Sequence, residues 1–542
     1  MNFDPHYFPY PSKRQVTYAR RGLVAASQPL AAQIGLDVMK KGGNAFDAIA
    51  ASAAAMTALE PCSNGIGGDA FAILWSAKEK KLIGLNSSGP APALLSEENI
   101  RSRFFNAMPQ FGSEPVTVPG IPAAWAAISS TYGKLSLAKT LEGAAKLAEE
   151  GFPVAPVTAR NWAGSRKLYE RERLAHRNGK IFDGWFETFA PGGKTPAPGD
   201  LVPLRAHAQT LREIGRTNAE SFYRGDIAQD IDRYMKKTNG FLRGEDLAQF
   251  YPEWVEPIGV NYRGYDIWEI PPNGQGMVAL MALNILENFD FPFGKDHPDT
   301  LHRQIEALKL AFADGHAYIG DQKKLEVNVA GLLSKEYAKK RSALITENAL
   351  EPLPGSPDKS GTVYLCTADE EGNMVSYIQS NYMGFGSGLV LSERGIAFQN
   401  RGFGFNLDRN SVKYVMPGKR PFHTIIPGFI TRNGEPVGPF GIMGGAMQPQ
   451  AHLQVVSNLI DFNLNPQAAL DAPRWQWVQG RELHFETGIP HHTAAALARR
   501  GHDIRYEHSE AEFGRGQIIR RMPNGVYAAG TEMRTDGYIA VW

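Results

Sequence analysis

Two cysteines, Cys62 and Cys366, are all that 542 residues carry, which excludes a disulfide framework, a cysteine-rich zinc site and an iron–sulfur cluster. Charge of one sign is also missing: 57 Lys and Arg stand against 56 Asp and Glu, a formal net charge of +1. Such a balance lacks the footprint of a nucleic-acid binder or a polybasic membrane arm. Neither nucleic acid nor membrane is expected as a partner, and a small-molecule substrate is favoured. The best apolar run, Ala48 to Leu59, is about a dozen residues and too short for a bilayer. Residues 1–15, MNFDPHYFPYPSKRQ, lack the basic start and continuous apolar core of a secretory signal, so a cytoplasmic protein is expected.

Familiar motifs are broken or absent too. Gly193-Lys194-Thr195 ends like a phosphate-binding loop, but Thr188 stands where the first glycine is required and Pro196 denies the following helix, which leaves a surface turn. Gly65-Ile66-Gly67-Gly68 imitates a dinucleotide fingerprint, yet it follows a helix and Glu60-Pro61 instead of a strand. No His-Glu-x-x-His occurs, and the adjacent His491 and His492 cannot share a helical metal face. Gly384-Phe385-Gly386-Ser387-Gly388 misplaces the serine of a nucleophile elbow. No metal and no organic cofactor is expected.

What is present suits a large globular core: 43% of residues are hydrophobic and 21% charged. The 56 Gly and 36 Pro make about 17% of the chain against roughly 12% in average usage, so many tight turns are expected. Helical stripes fall at Pro29 to Lys41, then behind the N-cap Asn44 to about Leu59, and at Leu137 to Glu150, Ile227 to Lys237, Gly276 to Asn288 and Leu301 to Tyr318. The stretch from about 135 to 348 reads as mostly helical. Strands are expected at Ala70 to Trp75 and Lys81 to Leu85. A hairpin is expected from Thr362 to Ala368 and Met374 to Ser380 around the turn Asp369–Asn373. Just before that hairpin, residues 351–361 read EPLPGSPDKSG, a composition that resists regular structure and belongs on the surface.

A surface loop running directly into a core strand at Thr362 has a chemical use. A threonine hydroxyl is a poor nucleophile without an adjacent base. Making it a new N-terminus supplies one, because its α-amine has a pKa near 8. That requires cutting between Gly361 and Thr362. Glycine before the cut keeps the scissile carbonyl uncrowded, and the strand after it holds the nucleophile.

The residues around Thr362 carry a resemblance. Thr362-Val363-Tyr364, Asp369-x-x-Gly372-Asn373, Ser380-Asn381-Tyr382 and Phe385-Gly386-Ser387-Gly388 resemble the start of the small subunit of the γ-glutamyltranspeptidase family, self-cleaving N-terminal-nucleophile hydrolases. Lys41-Gly42-Gly43-Asn44-Ala45, Glu60-Pro61 with Gly65–Gly68, Val118-Pro119-Gly120, Pro271-Pro272, Lys419-Arg420-Pro421 and Gly444-Gly445 follow in family order over nearly the whole chain. The resemblance implies an α+β fold, a four-layer αββα sandwich. A large subunit, 1–361, and a small subunit, 362–542, would interleave in one domain after autocleavage at Gly361/Thr362. It makes Thr362 the nucleophile of both processing and catalysis. Ser380 would steady its hydroxyl or amine, and Gly444 and Gly445 would be donors to the oxyanion, as glycine's close backbone approach allows.

Departures from the family bear on substrate. Ser88 falls where the family has a carboxylate-binding arginine, and His423-Thr424 replaces its serine pair. The acidic segment that holds an α-ammonium reads Gln399-Asn400-Arg401 here, so a cation stands where carboxylates are usual. With Tyr382 and Asn400 beside it, Arg401 is suited to grip a carboxylate bidentately and unsuited to an ammonium group. The pattern resembles the cephalosporin acylase branch. The expected activity is hydrolysis or transfer of γ-glutamyl or glutaryl amides through a Thr362 acyl-enzyme. Water or amine as acceptor, and a homo-oligomeric state, stay open. The altered binding positions and Val363, where the family commonly has a second threonine, motivate one alternative: a catalytically silent single chain acting as a binding or scaffold protein.

Overall fold

A computed structural model describes residues 13–324, 328–352, 361–509 and 512–542. Two seven-stranded sheets lie face to face. The first runs in the order Tyr538–Val541, Gly22–Ala26, Gly361–Asp369, Met374–Tyr382, Asp69–Ser76, Lys81–Ser87, Glu253–Val255. The second runs Thr17–Ala19, Tyr527–Thr531, Arg515–Arg521, Glu435–Met443, Gly428–Arg432, Tyr265–Glu269, Ile258–Tyr262. The pairings within both are antiparallel.

The period of two along each strand builds the layers. On the central hairpin, Val363, Leu365, Val375 and Tyr377 face the helices Pro29–Lys40, Ala45–Leu59 and Leu137–Glu150 in one core. Tyr364, Cys366, Ala368, Met374 and Ile378 face the second sheet in another core, with Phe71, Phe429 and Ile519. Beyond the second sheet, the helices Gly276–Leu286, Pro298–Tyr318 and Met447–Ile460 close a third core. Helix, sheet, sheet, helix is the αββα order, and the α+β class expected from sequence holds.

The helix Ala45–Leu59 is buried along its whole length and covered all round, as its alanine-rich sequence requires. Its N-cap Asn44 accepts from the Asp47 N–H and Asp47 returns the bond to the Asn44 N–H, a full capping box. Cys62 and Cys366 are buried free thiols, and burial pushes Cys62 up to about 12. Residues 191–193 form an exposed turn with Gly192 and Gly193 at positive φ, as the failed phosphate-loop pattern implied. The segment Glu253–Glu269 holds three strands where mostly helix was expected. Among the described residues no helix is long and apolar enough to cross a membrane. The surface loop expected at 351–361 falls mostly on residues 353–360, which lie outside the described residues.

Each of the two sheets contains strands from both sides of position 361/362. Gly361–Asp369 pairs with Gly22–Ala26, and Met374–Tyr382 pairs with Asp69–Ser76.

Candidate active site

The register of the central hairpin slips where Thr362 sits. Gly361 pairs with Tyr382 and Val363 with Gln379, so Ser380 and Asn381 together oppose Thr362. A bulge re-aims side chains, and here Thr362 Oγ1 donates to Ser380 Oγ at 3.2 Å, both side chains being fully buried. Ser380 Oγ also accepts from the Tyr382 N–H at 2.7 Å and from Arg401 Nη2 at 3.3 Å. Tyr382 has φ +77°, a left-handed conformation uncommon outside glycine and Asn.

The glycine run that imitates a dinucleotide fingerprint braces this end of the hairpin. A Cβ on Gly68 would lie 2.5 Å from the Ser380 carbonyl oxygen, so the turn packs there only without one. Gly67 bridges to Phe398, and its carbonyl accepts from the Gln399 N–H at 3.1 Å. Asn400 ties the same segment down: its Oδ1 accepts from the Met383 N–H at 3.2 Å and its Nδ2 donates to the Gln110 carbonyl at 2.9 Å.

Arg401, next in line, is fully buried. Its Nη1 donates to Thr424 Oγ1 at 2.8 Å, its Nη2 to Ser380, and its Cζ lies 4.1 Å from the centroid of the Tyr382 ring. Its buried Nε has no hydrogen-bond partner among the described residues. Among the described residues no carboxylate lies within ion-pair distance of it. Burial lowers its pKa to about 10, with Tyr382 and Asp69 acting in the other direction.

His423 stands beside Thr424 with its ring 4.8 Å from that of Phe71. Its Nδ1 accepts from the Ile425 N–H at 3.4 Å, so the proton is on Nε2 and is donated to Asp69 Oδ2 at 3.1 Å. Burial, then Arg401 and Arg420, hold the imidazole well below its ordinary range, so it is neutral. Burial also lifts Asp69 to about 7, opposed by Arg401 and by the Gly89 N–H, which donates to it at 3.2 Å. Ser88 stays apart from Arg401: its Oγ donates to Asn86 Oδ1 at 2.7 Å and accepts from Asn273 Nδ2 at 3.2 Å.

Gly444 and Gly445, at φ +134° and +61°, link the strand Glu435–Met443 to the helix Met447–Ile460. Neither of their N–H groups has an acceptor among the described residues. Two open donors just ahead of a helix N-terminus favour negative charge. Gln275 Nε2 donates to the Gly445 carbonyl at 2.8 Å and to the Thr424 carbonyl at 2.5 Å. An unbroken hydrogen-bonded path therefore joins Thr362, Ser380, Arg401, Thr424, Gln275 and Gly445.

Three members of this site escaped the reading of the sequence. Asp69 follows the Gly67-Gly68 pair, Gln275 follows Pro271-Pro272, and Asn381 lies inside Ser380-Asn381-Tyr382, so each had a signal next to it. Both polar atoms of the Asn381 side chain are buried with no partner among the described residues, directly opposite Thr362 in the bulge.

Elsewhere, His302, Glu306 and His502 bring one nitrogen or oxygen each within 4.8 Å of one another, the only such grouping among the described residues. Lys309 Nζ already donates to Glu306 Oε1 at 2.8 Å, so a cation balances that carboxylate.

The gamma-glutamyltranspeptidase family model matches residues 31–542. A glutathione hydrolase-like YwrD proenzyme of Bacillus subtilis is 33% identical over 95% of this chain and 97% of its own length. An oxamate amidohydrolase proenzyme of Klebsiella pneumoniae is 32% identical over 96% and 98%. The crystal structure of a cephalosporin acylase from Bacillus halodurans superposes with a TM-score of 0.96 at 54% identity, covering 100% of this chain and 99% of that one. None of these supports the silent-scaffold alternative. Fold, motif order and relatives agree: the chain belongs to the gamma-glutamyltranspeptidase family of self-processing amide hydrolases.

Proposed function

We propose that this enzyme cuts itself between Gly361 and Thr362 and then hydrolyses amides whose acyl group ends in a bare carboxylate, glutaryl being the type. The observation that carries the reading is Arg401: a buried guanidinium held by two hydroxyls and an aromatic face, with no carboxylate in ion-pair distance among the described residues. A buried charge so placed is costly unless a partner arrives. A substrate carboxylate supplies that partner in the bidentate geometry a guanidinium favours. An α-ammonium group would meet the same cation with repulsion. The cephalosporin acylase and the oxamate amidohydrolase among the relatives are in keeping with a carboxylate-bearing substrate.

Processing starts with Thr362 Oγ1 on the Gly361 carbonyl carbon. The Gly361–Thr362 amide becomes an ester on Oγ1, and water releases the Gly361 carboxylate and the free α-amine of Thr362. In the mature enzyme that amine takes the hydroxyl proton as Oγ1 attacks the substrate amide. Gly444 and Gly445 N–H groups hold the oxyanion, and the leaving amine departs with the proton. Water, deprotonated by the same α-amine, then attacks the ester carbonyl; the acyl C–Oγ1 bond breaks, and the α-ammonium returns its proton to Oγ1 as the carboxylic acid product leaves. Ser380 keeps Oγ1 oriented in both reactions. Thr362 and Arg401 are fully buried in the uncut chain, so the cut precedes substrate entry.

The test compares glutaryl-p-nitroanilide with γ-glutamyl-p-nitroanilide on the purified enzyme. Higher kcat/KM for the glutaryl compound is expected, and a preference for the γ-glutamyl compound would refute the assignment of Arg401.

A further inference from the structure

Glycine cannot hold its own orientation, because without a Cβ its φ and ψ are nearly free. Gly444 and Gly445 present open N–H groups at positive φ, so something outside the loop has to aim them. On one side the first turn of the following helix does so, Met447 N–H donating to Gly444 O at 3.0 Å and Gln448 N–H to Gly445 O at 3.2 Å. On the other side the only side chain bonded to either glycine among the described residues is that of Gln275.

Gln275 is built for this and for little else. It is the N-cap of the helix Gly276–Leu286, where Ser, Thr, Asp or Asn is preferred, yet its side chain makes no cap. It is 1% exposed. Its backbone is clamped to the other end of the site: Gln275 N–H donates to His423 O at 3.0 Å and His423 N–H to Asn273 O at 2.9 Å. Both partners of its amide, Thr424 O and Gly445 O, are carbonyls and accept only, so the nitrogen must face them. One NH2 group thus spans the segment that carries His423 and Thr424, which bridges to Gly274, and the loop that carries the oxyanion donors.

We propose that Gln275 is the positioning residue of the oxyanion loop, fixing the Gly445 peptide so that the two glycine N–H groups converge on the tetrahedral oxygen. This rests on the acylase reading above. Because the oxyanion forms with any acyl group, losing Gln275 lowers turnover whatever the donor, whereas Arg401 acts on carboxylate-bearing donors alone.

The experiment uses mature enzyme carrying Gln275→Leu or Gln275→Glu, with glutaryl- and butyryl-p-nitroanilide. For Gln275→Leu, kcat is expected to fall about 10²–10³-fold, the effect of losing an oxyanion donor, in the same ratio on both substrates and with KM for the glutaryl compound within about threefold. In Gln275→Glu only the protonated acid has a hydrogen to donate, so its kcat relative to wild type rises as pH falls from 8 to 5. A merely structural role would not produce that pH dependence, and the Glu variant serves if the Leu variant fails to mature. An unchanged kcat, or a flat ratio across pH, overturns the proposal. A wild-type enzyme that hydrolyses neither anilide removes the acylase reading and this proposal with it, whereas an active wild type with unaltered variants overturns this proposal alone.

Discussion

Replacing Arg401 by methionine separates activity from stability, and both magnitudes follow from its surroundings. Holding the guanidinium charged in its buried site lowers its pKa from the ordinary arginine value to about 10, which at about 1.36 kcal/mol per pKa unit disfavours the charged form by about 3 kcal/mol. Against this stand two hydrogen bonds from a charged donor, to Ser380 and Thr424, worth at least about 1.5 kcal/mol each. The two contributions nearly cancel, and methionine fills a similar volume. Arg401→Met should therefore fold, mature into two chains and melt within a few degrees of wild type. Catalysis has no such cancellation. Loss of two charge-assisted bonds to a substrate carboxylate, about 3–4 kcal/mol after the arginine's release from its present partners, lowers kcat/KM for glutaryl-p-nitroanilide by about 10²–10³-fold. For butyryl-p-nitroanilide, which offers no carboxylate, the change stays within about tenfold. Chromogenic assays on both anilides and a thermal melt measure all three quantities. Equal losses on the two substrates, or a collapse in Tm, would refute the reasoning and make Arg401 a structural residue.

Thr362→Ala should remain one 542-residue chain on a denaturing gel, while wild type should give fragments of 361 and 181 residues, the latter being 542 − 361; a cut in the alanine variant would assign the nucleophile elsewhere. Asp69, raised by burial from 3.8 to about 7, is protonated in the fold but ionised in the unfolded chain between those values. Its burial therefore costs nothing below pH 3.8, and stability is lost as pH rises through 7, by at most about 4 kcal/mol. Asp69→Asn keeps an acceptor for the His423 Nε2–H and should raise Tm at pH 8 but not near pH 4; a gain of equal size at both would contradict the burial argument. His423 works in the opposite sense, its depressed pKa making the fold lose stability as pH drops below 6.5, so His423→Gln should flatten the acid side of the Tm profile. Gly68→Ala drives a Cβ onto the Ser380 carbonyl and should slow both processing and turnover, read by gel and by anilide hydrolysis.

The parts of the fold legible in the sequence are those fixed by neighbours along the chain. The hairpin was expected at Thr362 to Ala368 and Met374 to Ser380 and spans Gly361–Asp369 and Met374–Tyr382, because β-branched and aromatic alternation on both sides of an Asp-Glu-Glu-Gly-Asn turn is a local signal. The helix Leu137–Glu150 was legible to the residue. The strands Ile258–Tyr262 and Tyr265–Glu269 were not: five residues each, they alternate too briefly to stand out between long helical stripes. At the site, motif order pointed to Thr362, Ser380, Arg401 and Thr424, which the fold brings into contact. It also pointed to Ser88, which is bonded instead to Asn86 and Asn273. Gln275 and Asp69 act across 170 and 354 positions of sequence, and no local pattern encodes a partner at that distance.

The mixing of strands from both sides of position 361/362 within each sheet has a kinetic consequence. While the chain is whole, bringing Gly22–Ala26 beside Gly361–Asp369, and Asp69–Ser76 beside Met374–Tyr382, is a closure within one molecule, and its entropy rises only slowly with loop length. Once the proposed cut is made, the same pairings would have to re-form between separate polypeptides, neither of which holds a complete sheet. Reassembly becomes second order in concentration, with unpaired strand edges exposed meanwhile to aggregation. The mature enzyme should then owe its lifetime to slow unfolding and not to reversible folding: precursor diluted from denaturant regains structure independently of concentration, and mature enzyme treated alike does not. Folding would be completed once, before the proposed cut.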